Sequence, residues 1–166
     1  MKSWRIVCIV ALLVIALTTP MAMADNDKAD NSVVGMWRAV FRIGNADGPV
    51  FDETFQQFHS DGTEGMISNG FPPALGNVCL GVWKRVGSRE YKLRHMTWNW
   101  SSTFNDFFGV PGSFAGRFEM VVNLSVDPHG TSFSGTWAAK NFDVSDNHIP
   151  ELDAEGVVRA TRITVD

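Results

Sequence analysis

The stretch VVGMWRAVFRI, residues 33–43, decides how this chain is read. Trp37, Ala39, Phe41 and Ile43 fall on one parity, and Arg38 and Arg42 fall on the other. A period of two is the signature of a strand with one apolar and one polar face. The stretch opens on Gly-x-Trp, and the same pattern returns at Gly81/Trp83 and at Gly135/Trp137. Glycine inside a strand lets a neighbouring backbone or indole approach closely. A tryptophan brings roughly 150–250 Å² of mostly apolar surface. Each copy therefore reads as a packing device.

Working outward, seven further β-rich runs lie between clusters of Gly, Pro, Asn, Asp and Ser. They cover about residues 50–58, 63–69, 80–86, 90–98, 114–126, 132–142 and 154–165. No window of helical length carries apolar residues at i, i+3, i+4 and i+7. Asp47-Gly48 and Asp61-Gly62 supply hairpin turns. The short connections imply antiparallel neighbours. Eight such strands close into an up-and-down barrel, which removes the exposed edges that a sheet otherwise leaves. A two-sheet sandwich is the alternative. The interior of an eight-stranded barrel holds side chains or one small ligand.

Three segments fall outside this pattern. Residues 1–24 carry Lys2 and Arg5, an apolar run of 14 residues from Ile6 to Thr19, and Ala-Met-Ala ending at Ala24. That order is expected of a secretory signal, with an uncleaved anchor as the alternative. The expected location is secreted or periplasmic, with a polar, disordered lead-in at 25–32 and one barrel domain at 33–166. Two longer connections, 70–79 and 99–113, interrupt the short turns. The second holds Phe104, Phe107 and Phe108, which suit either a lid or a plug.

Removing Lys2 and Arg5 leaves 12 basic residues against 18 acidic ones. No segment concentrates the basic residues, so nucleic-acid binding is not expected. Cys79 is the only cysteine beyond the signal, which excludes an intramolecular disulfide there. A buried thiol is the expected role. No nucleophile elbow, zinc-protease, phosphate-loop or Cys-x-x-Cys motif is present. No cofactor is therefore expected. Of four histidines, His59, His129 and His148 fall in turns or loops, and nothing in their spacing suggests a metal site.

His95 is different, because alternation places it with Tyr91, Leu93 and Thr97 on the apolar face of its strand. Apolar walls with a few polar groups are what a ligand cavity needs. A lone core histidine satisfied by a neighbour is the competing reading. Trp98 and Trp100 share the opposite face and could stack on a flat ligand at the barrel mouth or cover the barrel end. Asp52 and Glu53 could supply a cavity carboxylate, but the solvated outer face is their expected place, as it is for Glu119.

The export signal, the strand count and Gly35/Trp37 at the head of the first strand resemble the lipocalin-like members of the calycin group. The resemblance implies a basic residue on the last strand packed over that tryptophan, here Arg159 or Arg162. The family's Thr-Asp-Tyr motif, its usual disulfide and its C-terminal helix have no counterpart, which suits an outlying, bacterial-type domain. A barrel similar to allene oxide cyclase and dirigent proteins fits the strand count without the Gly-x-Trp signature. The leading expectation is a barrel binding a small apolar or aromatic molecule. Its candidate ligand-binding residues are Trp37, Phe41, Tyr91, Leu93, His95, Trp98 and Trp100. A cyclase or isomerase would need Tyr91 and His95 to converge on one pocket. A structural or interaction module without a ligand is the third reading.

Overall fold

The computed structural model describes residues 32–70, 77–100 and 112–165. The expected signal, the centre of the first long connection and the three phenylalanines of the second lie outside the described residues. Eight strands run in chain order: β1 Gly35–Ile43, β2 Val50–Phe58, β3 Thr63–Ser68, β4 Val78–Arg85, β5 Glu90–Trp100, β6 Phe114–Val126, β7 Ser132–Phe142 and β8 Ala154–Arg162. Each pairs antiparallel with the next, and β8 closes on β1, giving an up-and-down barrel. The only helix among the described residues is one 3₁₀ turn, Pro150–Leu152.

The eight runs expected from alternation are these strands, with shifted ends. β5 runs two residues further than expected because Trp100 pairs with Phe114 across a bulge after Asn99. β8 ends at Arg162, opposite Trp37, and beyond it the Ile163 amide still donates to the Met36 carbonyl of β1 at 2.8 Å. Ile43 follows a register shift after Phe41 and is exposed rather than inside.

The alternating faces decide what the barrel encloses. Trp37, Ala39 and Phe41 point inward from β1, as do Tyr91, Leu93 and His95 from β5 and Met120, Val122, Leu124 and Val126 from β6. Outside, Arg94 and Arg117 both hold Glu119, at 2.9 and 3.1 Å, and the hydrogen bond from Arg94 helps keep that carboxyl below its ordinary pKa. Part of the outer face is apolar: Leu80, Met96 and Trp98 are exposed there.

One end of the barrel is plugged. Trp37 meets Phe133 edge-on with ring centroids 5.0 Å apart, and Phe58 meets Trp83, which meets Tyr91 at 5.6 Å. Such edge-to-face pairs match the ring quadrupoles. Arg162 lies over the Trp37 ring at 4.1 Å and donates to the carbonyls of Ser32, Val34 and Gly130. Arg159 is exposed on the outer face, so Arg162 is the basic partner of Trp37.

Gly35 explains the first Gly-x-Trp. Its φ of +129° disfavours any other residue, and a Cβ there would lie 2.6 Å from Arg162 Nη1. The third copy serves the opposite half: Trp137 stacks on Phe51 at 4.7 Å, and its indole N–H reaches the carbonyls of Arg42 and Val157.

Candidate functional site

Opposite the plug lies a cavity of about 360 Å³. That volume lies within the 300–1,000 Å³ typical of small-molecule sites. Its apolar wall is Phe41, Phe51, Met66, Phe118, Met120 and Ala154. Phe51 stacks between Trp137 and Phe118, so β2, β6 and β7 share one aromatic wall. The polar groups are Asp52, Ser68, Thr97, Asn99 and Asn141.

Most of these polar groups hold the rim in place. Asp52 Oδ1 and Ser68 Oγ both accept from the Gly70 amide, at 3.1 and 3.0 Å. Thr97 Oγ1 donates to the Val78 carbonyl at 2.7 Å. Asn99 Nδ2 donates to Asn141 Oδ1 at 3.2 Å, and Asn141 Nδ2 donates to the Leu152 carbonyl at 2.7 Å. Among the described residues, Oδ2 of Asp52 and Oδ1 of Asn99 make no such bond. Cys79 also lines the cavity. Burial pushes its thiol up to about 12, and the carboxylates of Glu64 and Asp52 add to the shift. It stays protonated at neutral pH and is a poor nucleophile.

Below the cavity lies a buried polar cluster. The register aligns Glu64 with Gly81 and Gly81 with His95, across β3, β4 and β5. With Gly81 bare, Glu64 Oε2 and His95 Nδ1 come within 3.6 Å over the intervening strand. A Cβ at Gly81 would lie 2.6 Å from Glu64 Oε2 and 2.7 Å from His95 Cβ. That is the reason for the second Gly-x-Trp. Gln56 Nε2 donates to Glu64 Oε1 at 3.0 Å. Glu64 Oε2, both ring nitrogens of His95 and Thr54 Oγ1 have no hydrogen-bond partner. Leaving a buried polar atom unpaired costs about 1–3 kcal/mol. Three such atoms on the facing Glu64 and His95 side chains therefore demand an explanation.

Of the seven candidate ligand residues, Phe41 and Trp100 line the cavity. Trp37 and Tyr91 belong to the plug, and Leu93 is buried between the two ends. Trp98 is 58% exposed, against Phe114 outside the barrel, because the alternation that turns Thr97 and Asn99 inward turns it outward. Trp100 shares that outward face but reaches the mouth beyond the bulge. The expected lining therefore mixed the two ends of one barrel. Tyr91 and His95 do not share a pocket, since the tyrosine packs on Trp83 while the histidine faces Glu64. Of the two carboxylates of β2, Asp52 takes the alternative place and lines the cavity, whereas Glu53 pairs with Arg38 outside as expected.

Glu64, Gln56 and Thr54 escape sequence reasoning altogether. In TEGMIS, Glu64, Met66 and Ser68 share one parity, and Ile67 sits on the other. Neither parity reads as apolar, so the phase of this strand is illegible without its partners. Among the described residues, no group of three or more His, Cys, Asp or Glu gathers as a metal site. Comparison with protein-family models and with curated proteins finds no match. What the fold and site define is a class: an all-β, eight-stranded antiparallel barrel, plugged at one end and hollow at the other.

Proposed function

We propose that this chain is an exported, lipocalin-like barrel that binds one small apolar or aromatic molecule in its open-end cavity. The observation that carries the reading is the asymmetry of the interior. One end is filled by five interlocking rings and sealed by Arg162, while the other keeps about 360 Å³ lined by Phe41, Phe51 and Phe118. Apolar walls gain from removing a ligand's surface from water, at about 25 cal/mol per Å². Asp52 and Asn99 at the rim orient a polar group. The calycin-type assignment is supported by Gly35, Trp37 and Arg162 acting as one unit at the head of β1. Export to a secreted or periplasmic location is supported by the order of residues 1–24.

The test is a titration of residues 25–166 with N-phenyl-1-naphthylamine, followed by probe emission and tryptophan quenching. Saturable binding of one probe per chain is expected. Ala154→Phe, which fills the cavity from β8, should abolish it. Binding that survives this substitution would assign the probe to the apolar outer face around Leu80, Met96 and Trp98 and refute the cavity reading. Absence of saturable binding would refute it too.

A further inference from the structure

The cavity accounts for an apolar ligand body, and the polar cluster beneath it has no role in that account. The rung formed by Met66, Cys79 and Thr97 lines the cavity. Glu64, Gly81 and His95 are the next inward positions on the same three strands, one pleat further in. Met120 pairs with His95 across β5 and β6 and itself lines the cavity, so rung and floor are contiguous.

Three polar atoms here are buried without a hydrogen bond among the described residues: Glu64 Oε2, His95 Nδ1 and His95 Nε2. The 3.6 Å between Glu64 Oε2 and His95 Nδ1 is too long for a hydrogen bond. Gln56 secures the other Glu64 oxygen at 3.0 Å, so the carboxylate is held in place rather than left to find a partner. Gly81 keeps the space between carboxylate and imidazole clear. A site assembled in this way, with one side chain omitted and another clamped, suits a small polar group brought in from the cavity.

We infer that Glu64 and His95 form a polar subsite at the cavity floor that takes the hydroxyl of an apolar alcohol or phenol. The inference rests on the proposed cavity function and specifies its ligand class. The complementarity is one of donors and acceptors. Glu64 Oε2 accepts, and a neutral imidazole offers one donor and one acceptor nitrogen. A hydroxyl also donates and accepts, so it satisfies both sides of the subsite. A pure hydrocarbon leaves every one of these atoms unpaired.

The experiment compares naphthalene with 2-naphthol, two probes of nearly one shape, by calorimetry on residues 25–166. The naphthol is expected to bind about tenfold more tightly, the worth of one net hydrogen bond. In Glu64→Gln and in His95→Gln that preference should fall to within about threefold. Naphthalene affinity should stay constant in both, which verifies the fold and the cavity of each variant. Imidazole ¹⁵N resonances of His95 should move with 2-naphthol and stay still with naphthalene. Equal affinity for the two probes in the unaltered chain, or a preference unchanged in both variants, would overturn the subsite while leaving the cavity reading intact. Binding of neither probe would overturn both.

Discussion

Gly81→Ala is the substitution that most directly probes how this barrel accommodates its polar floor. The added methyl would lie 2.6 Å from Glu64 Oε2, 2.7 Å from His95 Cβ and 3.0 Å from the Arg94 carbonyl oxygen. Carbon pairs rest at about 3.5–4.0 Å, so His95 Cβ would have to retreat by ~0.8 Å. It cannot do so cheaply, because β5 is paired with β4 on one side and β6 on the other. Overpacking of this kind costs about 1–3 kcal/mol. The backbone adds nothing, since Gly81 does not have a positive φ.

Gly65 provides the control. It also lacks a positive φ, lies one strand away on the outward parity, and would place a Cβ with nothing within 4 Å. Gly65→Ala should be neutral or gain about 0.4–1 kcal/mol through the unfolded chain. With a urea m-value of about 2 kcal/mol/M, a loss of about 2 kcal/mol lowers the midpoint by about 1 M. Urea unfolding followed by tryptophan emission measures both. A Gly81→Ala midpoint equal to that of the unaltered chain would refute the claim that Glu64 and His95 meet over a bare glycine.

Three further expectations follow from the same contacts. Arg162→Ala removes a cation over Trp37 and charged hydrogen bonds to backbone carbonyls, and should cost about 2–3 kcal/mol. Calorimetry should show a melting temperature lower by roughly 5–10 °C, with Arg162→Lys recovering less than half; an unshifted melting point would exclude the plug as a stabilising element. Cys79 should weaken the fold on the alkaline side. Its folded pKa of about 12 exceeds its ordinary 9.0, so the unfolded chain loses the proton first. Stability then falls from about pH 9 upward by about 1.4 kcal/mol per pH unit. Urea midpoints at pH 8 and pH 10 should diverge less in Cys79→Ala, and an equal divergence would remove the thiol from the account. On the acid side, the backbone amides of Ser132, His129 and Thr131 hold Asp127 below its ordinary 3.8. That contribution is present above pH 4 and is lost as the pH falls through the lowered value. Asp127→Asn should flatten the acid limb of a stability profile, and an unchanged limb would show that the turn contributes nothing.

The barrel was legible in the sequence because its strands are two-faced. Where Trp37, Ala39 and Phe41 alternate with arginines, one residue in two is forced to the interior, and eight such segments with short turns leave few ways to close. The strong phases of β1, β5 and β6 also put His95 inside from sequence alone. Alternation gives the face of a residue but not its height along the barrel axis. Hence Trp37 and Phe41, four residues apart on one face, fell into one expected lining although one plugs the closed end and the other lines the open one.

Height and partnership belong to register, and register is a property of pairs of strands. Only the alignment of Glu64, Gly81 and His95 across three strands turns a weakly patterned TEGMIS and an isolated Gly-x-Trp into a buried polar floor. Only closure of β8 on β1 chooses Arg162 over Arg159 as the cation on Trp37. The sequence by itself determined a set of eight two-faced strands, because side-chain period is local. The tertiary structure alone decided which end is hollow and which polar groups meet beneath it, because those contacts join residues that are distant in the chain.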